Sequence, residues 1–312
     1  MSTRHLLDPE LAPILEFPTL ELTLEGIPGL RETLGQADVL ADPDEYEVSR
    51  EEITFTSADG SPISGLLYQP REHSGNLPGY LHLHGGGYLF GSPKGSDGLN
   101  LQIASQLGVV VLSVDYRLAP EYPIPLPLDD SYAGLAWLHS QASNLNIDRS
   151  RIAVGGESAG GGLAAALAIR ARDAGEYSVC HQHLTYPMLD NLTGTPEQPG
   201  DPLVGEFVWT RESNELGWTS YLGDAPAVAP QVPARVVDCV GLPPAWIFTA
   251  GLDLFRDENI AYAQRLLAAG VAAELLLYPS ACHAFQMLPD SSLGVRFTKD
   301  HLAALGRGLS TG

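Results

Sequence analysis

The chain has 312 residues, 44% of them hydrophobic, and its 38 acidic against 17 basic residues give a formal net charge of −21. This length and hydrophobic content predict a globular protein built as one large α/β domain, or as one domain with a smaller unit. The strong negative charge argues against a protein that binds nucleic acid or an anionic membrane surface, because both would repel it.

The three cysteines, Cys180, Cys239 and Cys282, are widely spaced and form neither a disulfide framework nor a zinc-binding pattern. Such cysteines are typical of a reducing compartment, so we expect a cytoplasmic protein. The first residues lack the apolar core of a signal peptide, and no apolar run is long enough to span a membrane. We therefore expect no membrane insertion. The sequence leaves the oligomeric state open, a homodimer included.

Residues 1–50 combine short helical patterns, over 6–17 and 30–40, with prolines and many acidic residues, and they contain no good strand pattern. We interpret them as an N-terminal cap segment. Residues 52–60 and 62–69 then alternate around Asp59-Gly60, which is a turn signal typical of β-hairpins. This pattern predicts an antiparallel edge at which the sheet begins.

After the hairpin, apolar strand patterns alternate with helical patterns. Strands are predicted over 80–83, 109–114, 152–154, 180–186, 245–249 and 274–278, and helices over 99–107, 128–141, 159–173, 258–269 and 292–309. This alternation indicates a mostly parallel central sheet covered by helices on both faces. Such sheets bind ligands at the carboxyl ends of their strands.

The region 190–244 interrupts this alternation with prolines and aromatic residues, and it shows no clear strand. An excursion of this length without regular structure is typical of a functional lid. We interpret it as a second cap segment. The core then consists of two parts, residues 51–189 and 245–312.

The central motif is Gly156-Glu157-Ser158-Ala159-Gly160, between a predicted strand and a predicted helix. A G-x-S-x-G sequence in this place turns so sharply that the serine hydroxyl is exposed, and glycines are needed where a Cβ would collide. The N-terminus of the following helix favours an anion beside the serine. The pentapeptide alone also fits an ordinary glycine-rich turn, so Ser158 needs supporting residues to be interpreted as a nucleophile.

A second glycine-rich motif, His84-Gly85-Gly86-Gly87, directly follows the predicted strand 80–83. Three glycines allow successive backbone N–H groups to point at an oxyanion, and the lysine of a phosphate-binding loop is missing. An H-G-G-G loop together with a G-x-S-x-G turn is far more specific than either alone. We expect His84 to brace the loop rather than to transfer protons.

A serine hydroxyl becomes a good nucleophile when a base takes its proton and a carboxylate orients that base. Among the nine histidines, His283 follows the last predicted strand and so reaches the same sheet edge as Ser158. Asp253 follows the strand 245–249, whereas Asp257 and Glu258 begin a helix, where acidic residues are favoured in any case. We therefore prefer Asp253 as the acid.

The motifs together resemble those of the hormone-sensitive-lipase-like (family IV) bacterial carboxylesterases of the α/β-hydrolase superfamily. The resemblance is carried by residues 84–87, 115–121 with 127 and 129–130, 156–160, and 253–258 with 283–285. It implies an α/β-hydrolase fold with a helical cap. It also implies that Asp253 is the acid of the triad, and that the N–H groups of Gly85, Gly86 and Ala159 form the oxyanion hole.

Two positions depart from the family pattern: Glu157 stands where many members have Asp, and Leu254 where many have Pro. Neither departure removes a catalytic group, although Glu157 can alter the substrate pocket. Arg117 and Glu121 are expected to brace loops rather than to react.

We therefore expect a serine esterase that cleaves short- to medium-chain carboxylic esters through an acyl-enzyme, without a metal or organic cofactor. The residues expected to close the substrate pocket are Leu89, Phe90, Phe207, Trp209, Trp218 and Tyr221. Two alternatives stay open: a lactonase, amidase or peptidase of the same fold, and a non-catalytic small-molecule receptor. His283 argues against a receptor, because the plant hormone receptors of this fold have lost that histidine.

Overall fold

A computed structural model describes residues 2–16 and 22–310 of the chain. Its centre is an eight-stranded sheet with the strand order β1-β2-β4-β3-β5-β6-β7-β8. The strands are β1 (Val48–Thr56), β2 (Pro62–Pro70), β3 (Leu77–Leu83), β4 (Val110–Val114), β5 (Ile147–Glu157), β6 (His181–Thr185), β7 (Ala245–Ala250) and β8 (Ala273–Tyr278). From β4 to β8 all neighbouring strands are parallel.

The hairpin predicted at the start of the sheet is confirmed, since β1 pairs antiparallel with β2, and β2 antiparallel with β4. Gly60 takes a φ of +86° in the connecting turn, which a residue with a Cβ adopts only with strain. β1 begins at Val48, earlier than predicted. The Val48 side chain is fully buried with Leu101 and Leu302, so burial extends the strand beyond its alternating pattern.

Seven helices of the described chain accompany the sheet: α1 (Ile27–Ala37), α2 (Asp97–Leu107), α3 (Leu126–Gln141), α4 (Ala159–Ala174), α5 (Arg211–Leu222), α6 (Arg256–Ala268) and α7 (Ser292–Ser310). Alternate strand residues divide between two apolar clusters. Tyr80 and Val111 pack with α2 and α7, whereas Leu81 and Leu112 pack with α3, α4 and α6. The predicted covering of both faces is confirmed. None of the helices in the described ranges has the length and apolar character required to cross a membrane.

The region between β6 and β7 contains α5, which the sequence reading missed. α5 begins after Thr210, whose side chain accepts a hydrogen bond from the backbone N–H of Ser213 at 3.2 Å. Its sequence contains a glycine, two serines and a threonine, which lower helix propensity, so it forms through packing of its buried face rather than through local preference.

The N-terminal residues form two short 3₁₀ helices, Arg4–Leu6 and Pro9–Glu16, followed by α1. Leu7, Leu11 and Ile14 pack in one cluster with Phe207 from the region between β6 and β7. The two predicted cap segments are therefore in contact with each other. Residue 17, the last of the first helical pattern, lies outside the described residues.

Three histidines are buried together near α7. His181 and His183 lie on β6, and His183 Nε2 is 3.2 Å from Nδ1 of His301 on α7. The His183 ring also stacks on Trp246, with 4.4 Å between ring centroids. Burial lowers the pKa of His181 and of His301 to about 4, because the charged form loses its hydration. These side chains are neutral at pH 7 and serve packing.

Stability is expected to fall as the pH drops from about 6.5 towards 4, because the unfolded chain then binds protons that buried His181 cannot accept. Between pH 6.5 and 5 this one side chain accounts for about 2 kcal/mol, at about 1.36 kcal/mol per pKa unit. As the pH falls from 6.5 to 5, the free energy of unfolding of His181→Gln should therefore rise by about 2 kcal/mol relative to that of the unsubstituted protein. Urea unfolding at several pH values measures this difference, with a substitution of the exposed His73 (His73→Gln) as the control. If the free energies of unfolding of His181→Gln and of the unsubstituted protein changed in parallel with pH, the prediction would be contradicted.

Candidate active site

A sharp turn between β5 and α4 presents Ser158. Ser158 has φ 56° and ψ −120°, a backbone conformation that non-glycine residues rarely adopt. A Cβ at Gly156 or at Gly160 would lie 2.0 Å from the carbonyl oxygen of Leu83, so only glycine fits where the turn meets the end of β3. The neighbouring strand and the two glycines thus hold Ser158 in this strained conformation.

Ser158, His283 and Asp253 form a continuous hydrogen-bonded chain. His283, in the loop after β8, places Nε2 at 2.9 Å from Ser158 Oγ and Nδ1 at 2.7 Å from Asp253 Oδ2. The second oxygen of Asp253 accepts the backbone N–H of Phe255 at 2.9 Å. The three residues are 6%, 4% and 1% exposed respectively. The arrangement matches that of a serine nucleophile, a general base and an orienting carboxylate.

The other two acidic residues of the 253–258 motif point elsewhere. The Asp257 side chain is 56% exposed and pairs with Arg256, with Nε and Oδ1 2.7 Å apart. Glu258 is buried and accepts the backbone N–H of Leu189 at 2.6 Å. Burial raises the pKa of Glu258 well above its ordinary value. The carboxyl group also accepts the backbone N–H of Asp190, so it fastens the start of the second cap segment to α6.

The glycine-rich loop after β3 lies against the turn at Ser158. A Cβ at Gly85 would be 3.1 Å from the carbonyl oxygen of Glu157. Among the described backbone contacts, the N–H groups of Gly85 and Gly86 have no acceptor, while Ala159 is the first residue of α4 and contributes a free helix N-terminal N–H. These three donors beside Ser158 are suited to an oxyanion.

His84 braces this loop. Its Nδ1 is 2.8 Å from the carbonyl oxygen of Gly85, and its ring stacks on Tyr116 with 4.3 Å between centroids. The Tyr116 hydroxyl in turn donates to the His84 carbonyl at 2.7 Å. Burial lowers the pKa of His84, which keeps the ring neutral. Its contacts hold the backbone of the loop, as expected from the sequence.

The loops further from Ser158 are tied by arginines. Arg117 Nη2 donates to Asp130 Oδ1 at 2.7 Å, and Arg31 of α1 donates to both carboxylate oxygens of Glu121 at 2.9 Å. Arg31 Nε also donates to the Leu89 carbonyl at 2.6 Å. The Arg117 pair thus fastens the 115–121 segment to α3, and Arg31 fastens α1 to that segment and to the residues just after the glycine-rich loop.

A cavity of about 780 Å³ opens beside Ser158 and His283. Its wall contains the expected Phe90, Phe207 and Trp209, and the two cap segments both contribute to it, the N-terminal one through Ile14 and Leu34 among others. Trp209 packs on the backbone at Gly87, where a Cβ would lie 2.1 Å from the indole ring, and its ring meets Phe90 edge-on. The indole therefore lies against the glycine-rich loop itself.

The structure places three expected pocket residues elsewhere. Leu89, Trp218 and Tyr221 are not among the described residues that line this cavity. Leu89 is fully buried in the main core, whereas Trp218 and Tyr221 lie on the inner face of α5, with ring centroids 5.4 and 3.9 Å from that of Tyr88. Their helical spacing buries them under the glycine-rich loop, so they support it from behind rather than lining the cavity.

Tyr186 and Gln286 are two of the cavity residues that the sequence analysis did not identify. Tyr186, directly after β6, lies with its ring centroid 4.6 Å from that of His283, and Gln286 donates a hydrogen bond to its hydroxyl. Tyr186 occupies the carboxyl end of a parallel strand, which is where ligands bind in such sheets. That rule could have found Tyr186. No local signal marks Gln286.

Comparisons with known proteins place the chain in a family. A family model described as the alpha/beta hydrolase fold matches residues 80–287. Esterase LipI of Mycobacterium tuberculosis is 34% identical over 86% of this chain and 84% of its own length, and carboxylesterase NlhH of the same organism is 36% identical over 89% and 88%. A solved bacterial heroin esterase is 37% identical, covers 99% of both chains and has a TM-score of 0.91.

The chain therefore belongs to the hormone-sensitive-lipase-like esterase family of the α/β-hydrolase superfamily. This confirms the resemblance that its four motifs carry and the predicted fold class.

Proposed function

We propose that the protein is a serine carboxylesterase in which Ser158 is the nucleophile, His283 the general base and Asp253 the orienting acid. The observation that carries the proposal is the hydrogen-bonded chain from Ser158 Oγ through His283 to Asp253. The names of the similar proteins, esterase and carboxylesterase, support the same reaction class.

The geometry allows each step to be written with this chain's own groups. His283 Nε2 takes the proton as Ser158 Oγ attacks the ester carbonyl, and the N–H groups of Gly85, Gly86 and Ala159 stabilise the oxyanion. The alcohol leaves with the proton from His283, and the acyl group remains on Ser158. Water, deprotonated by the same histidine, then releases the carboxylic acid.

We further propose that the substrates are small esters with short to medium acyl chains. Aromatic side chains from the second cap segment, together with Phe90 just after the glycine-rich loop, line the cavity, and we expect them to limit acyl length. The free cysteines at 180, 239 and 282 support a cytoplasmic location.

Activity is expected to rise with acyl length over short chains and to be poor from C12 onwards. Each CH₂ that the pocket buries adds about 0.8 kcal/mol, or about fourfold in kcat/KM, until the chain meets the aromatic wall. Assays with p-nitrophenyl esters from C2 to C16 measure this. Phe90→Ala, which shortens a wall residue, should move the optimum to longer chains.

The same series tests the function as a whole. Absence of turnover for every ester, including the short ones, would reject the esterase proposal. A preference for emulsified long-chain substrate with a jump in rate at the interface would instead indicate a true lipase and would contradict the closed pocket.

A further inference from the structure

The cavity beside Ser158 carries more negative than positive charge. Apart from His283, the charged side chains among its described lining residues are Arg4, Glu157 and Glu206. Arg4 Nε lies 3.9 Å from Glu206 Oε1, and the Glu206 carboxylate also accepts the Ser2 hydroxyl at 2.6 Å. Arg4 is thus matched by one carboxylate at the cavity wall. Glu157 remains as a charge without a cationic arginine or lysine partner among those lining residues.

The Glu157 carboxylate is held in its ionised form. Burial acts to raise its pKa, but interactions led by the neighbouring His82 outweigh this effect, so the pKa lies below its ordinary value. Glu157 Oε2 is 3.1 Å from His82 Nε2. The Glu157 side chain is 12% exposed, and it is one of the residues that line the cavity.

The contacts of His82 fix its ring against Glu157. Its other ring nitrogen, Nδ1, lies 2.9 Å from the Ser113 hydroxyl and 3.3 Å from the amide nitrogen of Asn100. His82 is fully buried and is not among the described residues that line the cavity. Glu157 is therefore the member of this pair that the cavity meets.

Two features of the cavity besides Glu157 favour a bound cation. The aromatic rings of Phe90, Phe207 and Trp209 line the same space, and aromatic faces attract ammonium groups. The formal charge of −21 raises the local concentration of cations, and a cleft with low-dielectric walls focuses this field. An anionic ester would be repelled by the same charges.

We propose that this cavity prefers esters that carry a cationic amine, and that Glu157 determines the preference. The inference rests on the proposed esterase function and names the class of substrate for that site. Glu157 acts here on substrate selection, whereas Ser158, His283 and Asp253 carry the reaction.

Acetylcholine and 3,3-dimethylbutyl acetate test this, because the two esters have the same shape and differ in the charge of one atom. For the full-length protein at low ionic strength we expect kcat/KM to favour acetylcholine by about tenfold, which is about 1.4 kcal/mol. Glu157→Gln should bring that ratio close to one. Asp257→Asn removes an equal charge from outside the cavity and should keep the ratio.

Salt provides a second test that requires no substitution. Raising ionic strength from about 0.01 to 0.5 M should lower the ratio in the unsubstituted protein, since salt screens the attraction. A ratio of one or less at low salt, or a ratio that neither salt nor Glu157→Gln changes, would overturn the inference. Turnover of 3,3-dimethylbutyl acetate in either case keeps the esterase proposal, and only loss of both esters would reject that proposal.

Discussion

Ser158→Ala is expected to lower kcat for a p-nitrophenyl ester on the order of 10⁴-fold or more, because nucleophile, base and acid act as a unit. His283 Nε2, now 2.9 Å from Oγ, would keep its acid partner but lose the group it activates. The rate is measured with purified protein. An organophosphate reagent should label the unsubstituted protein and leave the variant unlabelled.

The exposed Ser143→Ala is the matched control for this experiment, and it should keep the full rate. Circular dichroism checks that both variants fold. A folded Ser158→Ala protein with more than about a tenth of the original rate would show that another group is the nucleophile.

Asp253→Asn should reduce kcat by about 10⁴-fold, whereas Asp257→Asn should change it less than severalfold. Asp253 Oδ2 accepts from His283 Nδ1 at 2.7 Å, and an amide there favours the wrong imidazole tautomer. Among the described side chains, Asp257 hydrogen-bonds only with Arg256. It lies at the start of α6, where its charge contributes about 0.3–1 kcal/mol at most.

The two substitutions change the same chemical group four residues apart, so each controls for the other. Steady-state kinetics for both, with thermal unfolding to compare stability, decide the assignment. The opposite ranking of the two rates would make Asp257 the acid of the triad.

The sequence could predict the residues near Ser158 because their constraints are local. The glycines on either side of Ser158 can be recognised from a few neighbouring positions. The same holds for a histidine or an aspartate that follows a strand. The alternation of strands and helices likewise predicts a parallel sheet without knowledge of which strands are neighbours. The strand order itself, with β4 between β2 and β3, comes from long-range pairing that no local pattern shows.

The pocket was harder to predict because a bulky aromatic residue has the same local signal whether it faces substrate or core. Trp209 faces the cavity, while Trp218, nine positions later, packs on Tyr88. The two cases differ in how α5 and the segment before it pack against distant parts of the chain. For the same reason, the role of Glu157 could not be predicted from its neighbours in sequence. It depends on a contact with His82 of β3, which lies 75 positions away in the chain.

The close approach of Trp209 to Gly87 limits how the protein can be recombined with its relatives. The indole occupies the volume that any side chain at position 87 would fill. A chimera that takes its cap from one parent and its glycine-rich loop from another therefore joins two surfaces whose packing at positions 87 and 209 is not matched. Positions 87 and 209 must be inherited together, which makes the cap and the loop one unit of exchange rather than two interchangeable modules.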